Sequence, residues 1–189
     1  VTPRKECFMT NNYIRTIDLN LKGTFPGADY DQTYHFGCFL SDAGEINGAY
    51  SPVNDAHYNA QKVMELLDTW YSENPLAIKP VVRANYAKYC VNAFWYNNTI
   101  TTGSGNTTSD VPLDEIDMFC GGAEMLSHPL VSLDVIAHEL AHGITEKTSD
   151  LFYDSIESGG LNESFSDMTS QAADYFSTGK NSWHIGDKI

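Results

Sequence analysis

The alternation of apolar and polar positions divides the chain into two textures. Residues 1 to about 50 carry short β-like runs, Tyr13 to Leu21 and Tyr34 to Leu40, between Gly, Pro and Asp punctuation. Val63, Leu66, Leu67 and Trp70 then recur at i, i+3, i+4 and i+7. That spacing predicts an amphipathic helix over 54–73, capped by Asn54 or Asp55 and stopped at Asn74-Pro75. β texture resumes from Val81 to Trp95, and a polar stretch from Asn97 predicts a long loop over 97–117. From Ser132 the period is helical, with Leu133, Ile136, Leu140 and Ile144 within about 80° of one another around the axis. The expected fold class is α+β: a mainly β lobe with one helix over 1–131, then a helical part over 132–189.

Composition narrows the function classes. Eleven Lys+Arg against twenty-five Asp+Glu give a net charge of -14. Such a chain cannot neutralise a phosphate backbone or adhere to an anionic lipid surface, so neither nucleic acid nor membrane is an expected partner. Cys7, Cys38, Cys90 and Cys120 are even in number and form no C-x-x-C pair. Four cysteines allow three pairings; sequence order favours Cys7–Cys38 and Cys90–Cys120, and with them an exported, extracellular protein. The chain opens V-T-P-R-K-E-C, without an apolar leader, so any signal peptide is expected to be already removed.

The candidate chemistry lies in V-I-A-H-E-L-A-H-G-I-T, Val135 to Thr145. On a helix, His138 and His142 stand about 40° apart around the axis and about 6 Å along it, so both imidazoles can converge on one ion. The centre of the apolar stripe lies on the opposite side, which lets the helix bury one face and present the histidines on the other. Glu139 flanks the ion without having to bind it, in the H-E-x-x-H arrangement. A third ligand is expected from S-G-G-L-N-E-S-F-S-D, Ser158 to Asp167, where Gly159 and Gly160 allow a turn and a second helix is expected near Leu161. Glu163 there would complete a His2Glu set, the composition of a catalytic rather than a structural zinc site. Asn162 and Asp167 suit the far N–H groups of the imidazoles.

Together, H-E-L-A-H-G-I-T and G-G-L-N-E-S-F-S-D resemble the thermolysin family of zinc endopeptidases, near its bacterial elastase and vibriolysin branch. N-G-A-Y-S-P-V-N-D-A-H, N-A-F-W and P-L-V-S-L-D-V extend the resemblance over residues 45 to the end. It implies a zincin-like fold, one catalytic Zn2+ on His138, His142 and Glu163, and Glu139 as general base toward a zinc-bound water attacking the peptide carbonyl. It implies Tyr153 as a donor to the oxyanion, Asn162 and Asp167 behind the ligands, and Asn92 and Ala93 as an edge-strand grip on substrate backbone. Leu130 and Val135 are expected in the apolar wall for the residue after the scissile bond. Calcium carboxylates match at Asp134 and Asp174, while Gln171 and Ser182 stand where acids belong.

Protein or peptide substrates follow, as does a partner. The chain stops at W-H-I-G-D-K-I, a segment of β-like texture in which His184 is read as structural. The family continues into a C-terminal helical lobe, here expected to be absent, that lines the cleft and brings a further oxyanion donor. A weakly active chain with an apolar face for the missing half or a second copy is therefore expected. Two other classes fit parts of the pattern: a non-catalytic zinc- or matrix-binding module, and another zinc hydrolase such as an aminopeptidase.

Overall fold

The computed structural model describes residues 6–19, 33–37, 52–85, 92–96, 116–119, 130–149, 151, 153 and 155–186. Strand β1 (Glu6–Phe8) pairs antiparallel with β3 (His35–Gly37), while β2 (Arg15–Asp18) belongs to a second sheet. That sheet also contains β4 (Val81–Ala84), β5 (Ala93–Tyr96) and β6 (Ile116–Phe119), in the order β2-β4-β6-β5. The β2–β4 and β4–β6 pairs are parallel; β5 runs antiparallel to β6 and forms an edge. β6 begins at the end of the stretch expected to be a polar loop, and 97–115 lie outside the described residues.

Helix α1 (Pro52–Tyr71) starts two residues before its expected cap. Pro52 suits a first helical position, where its missing N–H is no loss, and Asn54 and Asp55 are buried in the first turn instead of capping it. The helix stops before Pro75 because Ser72 turns left-handed (φ 57°) while its N–H returns to the Asp68 carbonyl at 3.0 Å. Val63, Leu66 and Leu67 are buried as the spacing requires. Trp70, at the end of the stripe, is 46% exposed and meets Phe176 edge-to-face, ring centroids 5.6 Å apart.

Two further helices complete the described fold. α2 (Leu133–Thr148) packs between α1 and α3 (Ile156–Thr178) and against β5. Ile136 and Leu140 are fully buried, each contributing about 1.5–3 kcal/mol by removal from water. α3 begins five residues before the expected Leu161, so Gly159 and Gly160 lie within the helix rather than in a turn. Gly159 serves a close approach: a Cβ there would collide with the Tyr153 carbonyl oxygen. The chain leaves α3 through Gly179 (φ 70°) and folds back as bends, not as the strand its texture predicted. Gln171 holds that return by donating to the His184 carbonyl at 3.1 Å and accepting from the Trp183 N–H at 3.0 Å. His184 thus enters through its backbone, and its side chain is exposed.

Cys7 on β1 is disulfide-bonded, and Cys38, Cys90 and Cys120 lie outside the described residues. Among the described residues, no helix is long and apolar enough to cross a membrane.

Candidate metal centre

One turn of α2 and one turn of α3 gather the ligand atoms expected from the motif. His138 and His142 approach to 3.1 Å between their Nε2 atoms. Glu163 brings Oε2 to 3.1 Å from His138 Nε2 and Oε1 to 3.6 Å from His142 Nε2. The three donor atoms lie within 4.8 Å of one another, and no other group of three such side chains occurs among the described residues.

The far sides of the rings decide what this cluster can hold. His138 Nδ1 faces Asp167 Oδ1 at 2.9 Å, and His142 Nδ1 faces Asn162 Oδ1 at 2.7 Å with Ser166 Oγ at 3.2 Å. A carboxylate and an amide oxygen accept, so each ring keeps its proton at Nδ1 and turns the Nε2 lone pair inward. Two lone pairs and a carboxylate aimed at one point repel unless a cation sits among them. The donor set is that of a three-ligand zinc site with an open fourth position, and it fits the ion that the sequence implies.

Glu139 stays outside the cluster. Its Oε2 accepts the Trp95 backbone N–H at 2.9 Å, and its side chain is buried. Burial pushes its pKa up to about 7 against the opposing pull of His138 and of the Trp95 N–H. Burial likewise lowers the pKa of His142, partly offset by Asn162. Tyr153 donates to Glu163 Oε1 at 2.5 Å, and that bond, ahead of burial, raises the phenol to about 12. Its ring stands edge-on to His142 at 5.8 Å.

These groups line a cleft of about 660 Å³ walled by β5, α2 and α3. Asn92 and Ala93 lie on its rim. Backbone groups of alternate strand residues share an edge, so Ala93 presents its N–H and C=O on the side where Trp95 donates to Glu139. Leu130 and Val135 pack against the core and are not among the cleft's described lining. Asp134 and Asp174 are both fully buried away from the cleft; Asp134 Oδ2 accepts the Gly186 N–H at 2.6 Å, and its Oδ1 has no hydrogen-bond partner.

Trp95 and Glu146, which the motif reading left without a role, stand in the cleft wall. The Trp95 indole covers Gly143, where any Cβ would collide with the ring, and its Nε1–H donates to Glu146 Oε2 at 2.8 Å. The glycine in H-E-L-A-H-G was the available signal: an interior helix glycine weakens the helix unless something needs its space.

Comparisons with known proteins agree with this geometry. The model of the thermolysin metallopeptidase catalytic domain matches residues 2–125 and 113–146, and that of the alpha-helical domain matches 149–189. A neutral protease of Vibrio proteolyticus is 36% identical over 184 residues, covering 97% of this chain and 27% of that protein. A zinc metalloproteinase of Legionella pneumophila is 35% identical over 201 residues, covering 97% of this chain and 34% of that protein. The chain thus spans about a quarter to a third of the length of these relatives. The protealysin precursor of Serratia proteamaculans shares the fold at a TM-score of 0.65 and 22% identity, over 95% of this chain and 50% of its own. With two family models tiling nearly its whole length, and Vibrio and Legionella proteases among its relatives, this chain belongs to the thermolysin metallopeptidases, in their vibriolysin branch.

Proposed function

We propose that these residues form the zinc-binding side of an endopeptidase site, with His138, His142 and Glu163 as ligands and Glu139 as general base. The observation that carries this reading is the placement of Glu139: a buried carboxylate beside the ligand cluster, fixed by the Trp95 N–H and free of metal duty. A site that only stores zinc has no use for such a group. When bound, Zn2+ supplies Lewis acidity, polarising the scissile carbonyl and making a water acidic enough to ionise near neutral pH. Glu139 accepts the proton of the attacking water and returns it to the leaving amine. Asn162 and Asp167 hold the two imidazoles in the ligating tautomer. Ala93 and Asn92 bind the substrate backbone along the free edge of β5, in the manner of an added strand. Tyr153 leaves Glu163 to donate to the oxyanion. Leu130 and Val135 enter this reading only through the shape of the core beneath the cleft.

The test joins zinc analysis to hydrolysis of an internal peptide blocked at both ends. About one zinc per chain and cleavage inside the blocked peptide are expected. Cleavage only of peptides with a free amino terminus would assign the site to an aminopeptidase instead. Tyr153 is the one hydroxyl donor this reading assigns to the oxyanion, and loss of a single such donor costs about 10²–10³ in rate. Tyr153→Phe should therefore slow hydrolysis of the blocked peptide by about that factor with zinc retained, and an unchanged rate would remove Tyr153 from the oxyanion.

The same reading extends to an extracellular protein with Cys7–Cys38 and Cys90–Cys120 links, checked by peptide mapping without reduction. It includes Ca2+ at Asp134 and Asp174, supported by the fully buried Asp134 Oδ1, which has no hydrogen-bond donor and so suits a cation. A calcium-dependent rise in Tm, lost in Asp134→Asn, is the outcome expected. Leu161, Phe165 and Met168, exposed along one face of α3, are the surface for the C-terminal half or a second copy.

A further inference from the structure

The structure assigns Trp95 and Glu146 to positioning the carboxylate of Glu139, through a clamp that ties the edge of the sheet to the metal-binding helix. This inference rests on the reading of Glu139 as the base, and three contacts carry it. The Trp95 backbone N–H donates to Glu139 Oε2 at 2.9 Å. The Trp95 indole lies on Gly143 so closely that no larger residue fits beneath it. The indole N–H donates to Glu146 Oε2 at 2.8 Å, while the other Glu146 oxygen is 3.7 Å from Lys147 Nζ.

The logic is mechanical. Glu139, Gly143 and Glu146 occupy one side of α2 at spacings of four and three, one helical turn after another. A single residue of β5 touches all three, its main chain at the first and its side chain at the other two. An edge strand bonded on one side only has a soft displacement away from its sheet, and nothing in the strand itself fixes the distance from its free N–H to α2. The indole fixes it. Pinned at Glu146 and seated on Gly143, the ring sets how near residue 95 approaches the helix, and so where its N–H meets Glu139. The same setting places the backbone of Ala93, two residues along the edge. Base and substrate track are thereby held at a common distance from the helix that carries the imidazoles. Neither Trp95 nor Glu146 is assigned to the metal or to the reacting atoms; both act through Glu139.

Amide hydrogen exchange at residue 95, read by NMR on the zinc-loaded full chain, measures the clamp without any turnover. Glu146→Leu removes the acceptor for the indole. The Trp95 amide should then exchange about tenfold faster, on the scale of one weakened hydrogen bond, with about one zinc per chain retained. Glu146→Gln keeps a side-chain carbonyl for the indole N–H and should restore exchange to about the wild-type rate. On a blocked peptide, kcat should fall in the Leu variant by up to about 10²-fold with KM little changed, and recover in the Gln variant. If Glu146→Leu does not fold, Trp95→Phe replaces it: this ring cannot donate to Glu146, and the residue 95 amide should again exchange faster than in Glu146→Gln. An amide equally protected in Leu or Phe and in Gln variants would overturn the clamp. Hydrolysis surviving in Glu139→Gln would instead overturn the general-base reading, whatever the exchange rates show.

Discussion

Glu139→Gln is expected to keep about one zinc per chain and to lose peptide hydrolysis by about 10²–10⁴-fold, the usual contribution of a general base. The two halves of that expectation come from different contacts. Zinc stays because Glu139 contributes nothing to the cluster of His138, His142 and Glu163. The fold stays because glutamine offers the Trp95 N–H the same kind of acceptor that Glu139 Oε2 provides. A neutral amide even removes a buried charge, so the Tm should not fall. Only the proton transfer is lost. Metal analysis and blocked-peptide kinetics on the same sample check the expectation, and a variant stripped of zinc would show that the roles of Glu139 and the ligands have been confused.

His142→Ala is expected to do the reverse: zinc goes, and with it the stability that zinc confers. A ligand at a thousand times its Kd adds about 4 kcal/mol to a folded protein that alone can bind it. Wild type should therefore melt at a distinctly higher temperature with zinc than after chelation, and His142→Ala at one temperature in both. The cause is the donor count, since His138 and Glu163 alone leave a two-ligand site. Calorimetry with and without chelator decides the matter. A zinc-dependent rise that persists in the variant would remove His142 from the ligand set.

The gathering of His138, His142 and Glu163 was legible in the sequence because its geometry is local. Two histidines four apart on a helix have a fixed relation before any tertiary structure exists, and Glu163 arrives on the next helix after a short connection. Asn162 and Asp167 follow from the same helix, one residue before and four after the ligand. The Trp95 contacts were not legible. They join residues 44 and 51 positions apart, and depend on which strand ends the sheet and how closely that edge meets α2. The start of α3 was misread for a related reason. Gly159 and Gly160 have the composition of a turn, but Gly159 answers the Tyr153 carbonyl that crosses the helix there. The tail from Trp183 carried strand-like residues but met the Gln171 side chain and Asp134 instead of another strand.

One helix supplies Glu163 and every partner described for the two Nδ1 atoms: Asn162, Ser166 and Asp167 all lie on α3, while both imidazoles lie on α2. Sliding α3 along α2 by a single residue, about 1.5 Å, would part Asp167, Asn162 and Glu163 from the rings at once. No intermediate alignment keeps some of these bonds and sacrifices others. On the proposed ligand set, metal affinity works as a vernier on the two helix axes, sharp at one setting and blank at its neighbours. A substitution that shifts the docking of α3, even from its far end near Gly179, should register first as lost zinc and only later as lost helix.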